Sequence, residues 1–262
     1  MPRNDRPVLP EGRALLLDPG RYALFLDIDG TLLNIVPHPD DAKASPALMR
    51  TLIALRERLA GALALVSGRD LRDIDRLFKG GDFDCVGSHG LEWRTATAGH
   101  GTISSPTQAL DGVADALCAA AAAMPGLMIE RKRYSIALHY RAIPERQTET
   151  ASLARAALAL IGPGFHLQAG KAVIELVPAT AGKGSAIQRL MAIAPYQGRL
   201  PVFVGDDLTD ESGFETVNRL NGVTIHIGGN VATAAHHVLA TPAALRHWLR
   251  QTITEPADPA LG

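Results

Sequence analysis

The first ninety residues alternate short apolar runs with segments of helical periodicity. Residues 22–26, 62–66 and 83–86 are apolar runs of strand length, and their lack of polar alternation is typical of buried parallel strands. Between them, residues 46–60 and 70–78 carry the spacing and the capping residues of helices. Strand alternating with helix predicts a parallel, doubly wound sheet, and therefore an α/β fold.

The pattern changes near residue 106, after a predicted loop at 99–107. Two helices and two strand pairs follow, predicted at 108–124, 127–133, 135–141, 145–161, 165–169 and 172–177. The strand at 135–141 alternates apolar and polar residues, as in an antiparallel sheet with one exposed face. We therefore expect an inserted α/β domain at 106–179, between the two parts of a core domain at 1–105 and 180–262.

The doubly wound pattern then resumes within the core domain. A helix, a strand, a helix, a strand and a closing helix are predicted at 183–194, 200–204, 210–220, 223–227 and 243–250. Thr209 or Asp210 is expected to cap the helix that follows it.

Composition and charge narrow the class of partner. The chain of 262 residues is 47% hydrophobic with a net charge of −1, so it has no global attraction to nucleic acid or to an anionic membrane. Two cysteines, Cys85 and Cys118, predict no disulfide framework. The apolar run at 14–17 is too short for a signal-peptide core, and no stretch reaches the length of a membrane span. We expect a cytoplasmic monomer that acts on a small molecule.

Polar and charged residues stand where the predicted core elements begin or end. Asp27 and Asp29 follow the first strand, Ser67 follows the second, Asp206 follows a later one, and Lys183 begins a helix. Ligands of open α/β sheets bind at the carboxyl ends of the strands, so these residues should converge at one edge. Taken singly, each also fits an ordinary turn, a helix cap or an exposed lysine, but the ordered set favours an active site.

The chemistry of these residues favours phosphoryl transfer. Clustered carboxylates repel each other unless a cation lies between them, and their hard oxygen atoms suit Mg²⁺. A carboxylate can attack phosphorus to form an aspartyl phosphate while a second acid protonates the leaving alkoxide, and Asp27 and Asp29 fit these roles. Ser67 can donate to a phosphate oxygen, and Lys183 supplies fixed positive charge.

Taken together, D-x-D-G-T at Asp27, Ser67, Lys183 and G-D-D at residues 205–207 resemble the four motifs of the haloacid dehalogenase superfamily. Within it, the chain is most similar to the trehalose-6-phosphate phosphatase family. The further segments that carry this resemblance are 67–69, 87–94, 130–132, 138–141, 170–175 and 205–214. The resemblance implies a Rossmann-like, parallel-sheet core with an inserted α/β cap of the C2 type.

The resemblance also implies an activity, the Mg²⁺-dependent hydrolysis of trehalose 6-phosphate to trehalose and phosphate. It makes Asp27 the nucleophile and Asp29 the acid/base. The implied metal ligands are Asp27, the backbone carbonyl of Asp29, and Asp206. Asp207 and Asp210 would support these ligands without belonging to the ligand set.

Substrate binding is implied for two groups of residues. The residues of the cap are Glu130, Lys132, His139, Arg141 and Glu175, and those of the core are Arg69, His89, Gly90 and Glu92. Paired carboxylates and cations on a sheet face can bind sugar hydroxyls by charge-assisted hydrogen bonds. Without the resemblance, simple solvation of Glu130, Lys132 and Arg141 on an exposed face would be the preferred interpretation. One departure from the family is Arg133, because a small residue commonly follows the cap lysine.

Two alternatives remain at this point. The chain could be another sugar-phosphate phosphatase of the same superfamily, such as a sucrose-phosphate one. It could also be a non-catalytic regulator that binds a sugar phosphate. The intact set of Asp27, Asp29, Lys183 and Asp206 argues against the regulator.

Overall fold

A computed structural model of the chain describes residues 20–36, 41–102, 110–229 and 231–254. It divides into two compact units. One unit comprises Met1–Thr102, Gly182–Asp206 and Asp210–Gly262, and the other comprises Ile103–Ala181 and Asp207–Thr209.

The predicted strands and helices all occur in the expected order, and three short strands that were not predicted, at 92–95, 99–102 and 237–239, add to them. The strands are β1 (Tyr22–Leu26), β2 (Leu63–Val66), β3 (Asp84–Gly87), β4 (Glu92–Thr95), β5 (Gly99–Thr102), β6 (Met128–Arg131), β7 (Ile136–His139), β8 (Phe165–Gly170), β9 (Val173–Pro178), β10 (Leu200–Gly205), β11 (Val223–Ile227) and β12 (His237–Leu239). The helices are α1 (Pro46–Arg58), α2 (Leu71–Leu77), α3 (Leu110–Ala121), α4 (Gln147–Ile161), α5 (Lys183–Met191), α6 (Glu211–Arg219) and α7 (Pro242–Thr254).

The first unit contains an eight-stranded sheet in the order β12-β11-β10-β1-β2-β3-β4-β5. The strands from β12 to β3 are parallel, which confirms the α/β fold class. All five residues of β1 are buried, as the unbroken apolar run predicts. Helix α1 begins as expected, because Ser45 Oγ accepts a hydrogen bond from the Leu48 N–H and Pro46 takes the first helical position.

The prediction of a loop at 99–107 is wrong for its first four residues. Gly99–Thr102 forms β5, which pairs antiparallel with β4 and extends the sheet beyond β3. Two glycines hid the strand from pattern analysis, since glycine is depleted in strands. Gly101 lies opposite Trp93, and a Cβ at that position would overlap the indole ring, so the glycine makes room for the aromatic side chain. Residues 103–107 lie outside the described part of the chain.

The second unit contains a four-stranded antiparallel sheet in the order β6-β7-β9-β8. Helices α3 and α4 pack on it, and they enclose an apolar core to which β7 contributes Ile136 and Leu138. The expected domain boundary at 105/106 lies outside the described residues, and the first segment of the second unit ends at Ala181. Within the described ranges, no helix combines the length and the apolar character needed to cross a bilayer.

Candidate functional site

Three buried carboxylates meet at the carboxyl ends of β1 and β10. Parallel pairing sets Leu26 beside Val204, and the Asp27 N–H donates to the Val204 carbonyl at 3.0 Å, so the two strands end together. One carboxylate oxygen from each of Asp27, Asp206 and Asp210 lies within 4.8 Å of the others. Strand register therefore brings together acids that stand almost 180 residues apart in the sequence.

Lys183, the first residue of α5, lies between two of these acids. Its Nζ donates to Asp27 Oδ1 at 2.6 Å and to Asp210 Oδ1 at 2.6 Å. Burial by itself lowers the pKa of Lys183, but Asp210 and Asp27 outweigh burial and raise the pKa above its ordinary value. Burial raises the pKa of Asp27, Asp210 and Asp206 raise it further, and Lys183 opposes the rise. Lys183 therefore bonds two of the three clustered carboxyl groups, and one oxygen atom from each of the three lies close enough to the others to hold a metal ion.

The donor set fits Mg²⁺. All three acidic groups offer hard oxygen atoms, the ligand type that this ion prefers. Thr31 Oγ1 donates to Asp206 Oδ1 at 3.2 Å and orients that carboxylate from one side. Gly30 has a φ of +82°, and a Cβ there would overlap Asp206 Oδ2, so the D-G-T turn can pass this carboxylate only with glycine.

Asp29 lies outside this cluster of three carboxylates and pairs with Arg69. Arg69 Nε donates to Asp29 Oδ2 at 2.6 Å, and Nη2 donates to Oδ1 at 2.8 Å. The pair has the bidentate geometry of a strong guanidinium–carboxylate contact. Arg69, which was predicted to bind substrate, is therefore hydrogen-bonded to Asp29, which was predicted to be the acid/base.

The segment Ser88–Gly90 ties the Ser67 turn to the start of α5. Ser88 and His89 both have positive φ, 49° and 55°, which is rare for residues other than glycine and costs strain energy. The His89 N–H donates to the Ser67 carbonyl at 3.1 Å, and the His89 carbonyl accepts from the Gly182 N–H at 2.6 Å. Ser67 Oγ accepts from the Arg69 N–H at 3.1 Å. His89, whose backbone is strained, thus links Ser67 to Gly182, the residue before Lys183.

Glu92 and Gly90 also have supporting contacts in the first unit. Glu92 Oε2 accepts from the Leu71 N–H at 3.1 Å and from Ser88 Oγ at 3.3 Å. The Gly90 carbonyl accepts from Arg189 Nη2 at 2.5 Å. These contacts brace the loop, and a contact of either residue with substrate stays a prediction.

The second unit places four of its five predicted residues in two adjacent pairs on one sheet face. Glu130 is in register with Ala137, and Ala137 is in register with Glu175, so the two acids share a row across the sheet. His139 Nε2 lies 2.7 Å from Glu130 Oε2, and this hydrogen bond lowers the pKa of Glu130. Lys132 Nζ donates to Glu175 Oε1 at 3.0 Å.

Arg141 and Asp207 are two further predicted residues of the second unit. Arg141 is exposed, two residues beyond the end of β7. Asp207 Oδ1 accepts from the Leu208 N–H at 2.7 Å, and Oδ2 accepts from the Lys171 N–H at 3.2 Å. Asp207 therefore holds its own turn and the turn between β8 and β9.

The profile of the trehalose-phosphatase family matches residues 25–243 of this sequence. The chain belongs to the trehalose-phosphatase family. It is 42% identical over 234 residues to the probable trehalose-phosphate phosphatase of Sinorhizobium fredii, covering 89% of this chain and 88% of the relative. It is 38% identical to the trehalose-6-phosphate phosphatase of Escherichia coli, with 89% and 87% covered. Membership makes the chain an enzyme, a trehalose-phosphatase of the hydrolase class, as the resemblance implied.

Solved structures share the fold. The C-terminal domain of the trehalose-6-phosphate phosphatase from C. albicans superposes with a TM-score of 0.80 at 23% identity, covering 91% of this chain and 95% of that one. A haloacid dehalogenase-like hydrolase from B. subtilis superposes with a TM-score of 0.63 at 16% identity, covering 87% and 98%. The fold of this trehalose-phosphatase is therefore that of the haloacid dehalogenase superfamily.

Sequence reasoning missed two contacts of the trehalose-phosphatase. Thr209 or Asp210 was expected to cap α6, and Asp210 occupies that position, but its carboxylate makes no capping bond. It accepts from the Asp206 N–H and from Lys183, and the bond to Lys183 was not predicted. Ser135 was not selected, although it bonds Glu175. The alternation of 135–141 placed Ser135 on the same face as His139, which is the signal that could have identified it.

Gly68→Ala tests the packing of the Ser67 turn. A Cβ on Gly68 would overlap the imidazole of His89, which is buried, so the ring or the turn must shift. We expect the free energy of unfolding to fall by about 1–3 kcal/mol, with a loss of phosphatase activity, because overpacking a tight site displaces its neighbours. Denaturant unfolding and phosphate release are the measurements.

Gly112→Ala is the matched control, since nothing lies within 4 Å of a Cβ there in α3. That change should raise stability by about 0.5–1 kcal/mol, as glycine is costly inside a helix. Adding His89→Ala to Gly68→Ala should recover part of the lost stability. If Gly68→Ala is as stable as the parent protein, the packing of His89 against the Ser67 turn is not as described.

Proposed function

We propose that this trehalose-phosphatase hydrolyses trehalose 6-phosphate to trehalose and phosphate through an aspartyl phosphate on Asp27, with Mg²⁺ as cofactor. The observation that carries the proposal is the buried cluster of Asp27, Asp206 and Asp210 around Lys183. In it, a candidate nucleophile stands beside a fixed cation. The first unit is proposed as the catalytic core, and the second unit as a cap that recognises the sugar.

In the first half-reaction, a carboxylate oxygen of Asp27 attacks phosphorus and the bond from phosphorus to the sugar oxygen breaks. Asp29 gives a proton to the leaving oxygen, which leaves trehalose. In the second half-reaction, Asp29 takes a proton from water, the water oxygen attacks phosphorus, and the acyl phosphate bond breaks. Asp27 is regenerated as the carboxylate, and phosphate leaves.

Side chains of the first unit supply the positive charge and the orientation that these steps need. Lys183 is already bonded to Asp27 and can neutralise charge on the transferring group, and Ser67 can donate its hydroxyl proton to a phosphate oxygen. Proton transfer requires an oxygen of Asp29 to leave Arg69 and face the leaving group. During this step, the Arg69 side chain therefore either moves together with Asp29, keeping one of its two bonds, or turns toward the substrate.

The metal would be held by Asp27, the backbone carbonyl of Asp29, and Asp206. When bound there, Mg²⁺ supplies Lewis-acid stabilisation of the charge on the phosphoryl oxygens. Its positive charge would also oppose the mutual repulsion of the clustered carboxylates. Asp210 would orient this set without binding the ion, since its carboxylate accepts from the Asp206 N–H. A supporting role for Asp207 stays a prediction, because its carboxylate accepts from the Leu208 and Lys171 N–H groups.

The polar face of the second unit is proposed to bind the disaccharide. Glu130 with His139 and Lys132 with Glu175 offer acceptors and donors that suit the hydroxyl groups of an uncharged sugar. Arg141 is proposed to add a donor beside them. A site of this kind rejects analogues that leave its polar groups unpaired, so it would favour one disaccharide over others.

Phosphate release from a panel of sugar phosphates tests this function. With Mg²⁺ we expect trehalose 6-phosphate to be preferred over sucrose 6-phosphate and glucose 6-phosphate by at least about tenfold in kcat/KM, which one or two well-placed hydrogen bonds can supply. Chelator should abolish release, and added Mg²⁺ should restore it. Mg²⁺ should also raise the thermal unfolding temperature, because it binds only the folded state.

A several-fold preference for another sugar phosphate would replace the proposed substrate. Full activity in chelator would remove the metal from the proposal. Binding of sugar phosphates without any phosphate release would instead support the non-catalytic regulator.

A further inference from the structure

Glu175 on β9 is a carboxylate that the fold buries, with 6% of its surface exposed. Burying a charged group is costly unless hydrogen bonds replace its water. A buried carboxylate on a polar sheet face therefore depends on the donors around it, and these donors decide where its oxygen atoms point.

Two donors meet on one oxygen of Glu175. Ser135 Oγ donates to Oε1 at 2.6 Å, and Lys132 Nζ donates to the same atom at 3.0 Å. Ser135 is itself buried, and it lies two residues before Ala137, the register partner of Glu175. It is therefore a diagonal neighbour of Glu175 on the same face of the sheet.

Both donors belong to the tight turn that joins β6 to β7. The Lys132 N–H donates to the Ser135 carbonyl at 2.9 Å and closes the turn. Tyr134 is buried, and the Arg133 guanidinium lies 5.1 Å from the centre of its ring. Arg133, the residue that departs from the family pattern, is thus accommodated by stacking on Tyr134. The closed turn holds the two donors, Lys132 and Ser135, at a fixed spacing.

We propose that Ser135 is a positioning residue, which, together with Lys132, holds the Glu175 carboxylate in the orientation that binds a sugar hydroxyl. The inference rests on the proposed sugar-binding role of this face. Ser135 does not need to touch the substrate, because it acts through Glu175. Its hydroxyl also fixes the direction of a side chain that could otherwise turn about its own torsions.

Ser135→Ala is expected to raise KM for trehalose 6-phosphate about tenfold, the lower end for a lost hydrogen bond to a charged group, since Lys132 remains bonded. The kcat value, and turnover of p-nitrophenyl phosphate, which has no sugar, should change by less than about twofold. Ser135→Cys, with a weaker donor of similar size, should give an intermediate KM. Ser152→Ala is the matched control, because Ser152 is exposed on α4, where its Oγ donates to the Thr148 carbonyl at 3.0 Å and accepts from Arg155 Nη2 at 3.1 Å.

A double-mutant cycle separates positioning from general structural support. In a Glu175→Ala background, Ser135→Ala should add less than about twofold to KM, since residues that act as one unit are not additive. A full tenfold increase in that background overturns the inference, as does a Ser135→Ala protein with lower thermal stability but unchanged KM. If Glu175→Ala raises KM and Ser135→Ala does not, this inference alone fails. If Glu175→Ala leaves KM unchanged, the sugar-binding role of the face fails with it.

Discussion

Replacing Asp27 by asparagine is expected to lower phosphate release from trehalose 6-phosphate by at least about a thousandfold in a protein that stays folded. The amide keeps the size of the side chain but has no carboxylate to attack phosphorus. The fold should tolerate the change, because the amide oxygen can still accept from Lys183 Nζ, which also keeps its bond to Asp210. Initial rates of phosphate release and a circular dichroism spectrum of the variant are the measurements.

Trapping of the intermediate makes the same test independent of the overall rate. Hydroxylamine added during turnover should convert an aspartyl phosphate to a hydroxamate at residue 27, detectable by peptide mass spectrometry, and none should form in Asp27→Asn. Asp82→Asn, at an exposed position before β3, should keep full activity. Turnover by Asp27→Asn at the rate of the parent protein would contradict the nucleophile assignment.

The fold could largely be predicted because periodicity reports burial. The unbroken apolar run at 22–26 was typical of a buried parallel strand, and the structure confirms it. The alternation at 135–141 predicted an antiparallel strand with one exposed face; the antiparallel pairing is confirmed, but the exposed face is not, because Ile136, Ala137 and Leu138 are all buried. Strand β5 could not be found in this way. Its stability comes from pairing with β4 and from Trp93 packing over Gly101, and these contacts leave no periodic signal in four residues.

The residues that make up the site were easier to predict than the hydrogen bonds between them. Motifs placed Asp27, Asp206 and Lys183 at strand or helix ends, and those ends coincide in a parallel sheet. The motifs could not show that Lys183 bridges Asp27 and Asp210, or that Arg69 holds Asp29. Such pairings depend on side-chain directions that are set by packing, which spacing along the chain does not encode.

Lys183→Met should affect stability as strongly as it affects catalysis. The substitution keeps a long apolar stem but removes the only cation bonded to both Asp27 and Asp210 among the described residues. We expect the free energy of unfolding to fall by about 3–5 kcal/mol, the usual cost of leaving a buried charge without its partner. Phosphate release should fall by at least about a hundredfold, because a fixed charge next to the phosphoryl group is lost. Denaturant unfolding should be measured in chelator, so that no divalent ion replaces the lysine.

A second substitution identifies the origin of the lost stability. Asp210→Asn added to Lys183→Met removes the charge of one of the two carboxylates that lose their bond to the lysine and should recover part of the stability while activity stays low, because the charge near phosphorus is still missing. Lys79→Met, at an exposed position after α2, should change stability by less than about 0.5 kcal/mol. If Lys183→Met matches Lys79→Met in both stability and turnover, Lys183 neither neutralises the buried acids nor assists phosphoryl transfer. If the double variant is no more stable than Lys183→Met, the loss comes from packing of the lysine stem rather than from the charge of Asp210.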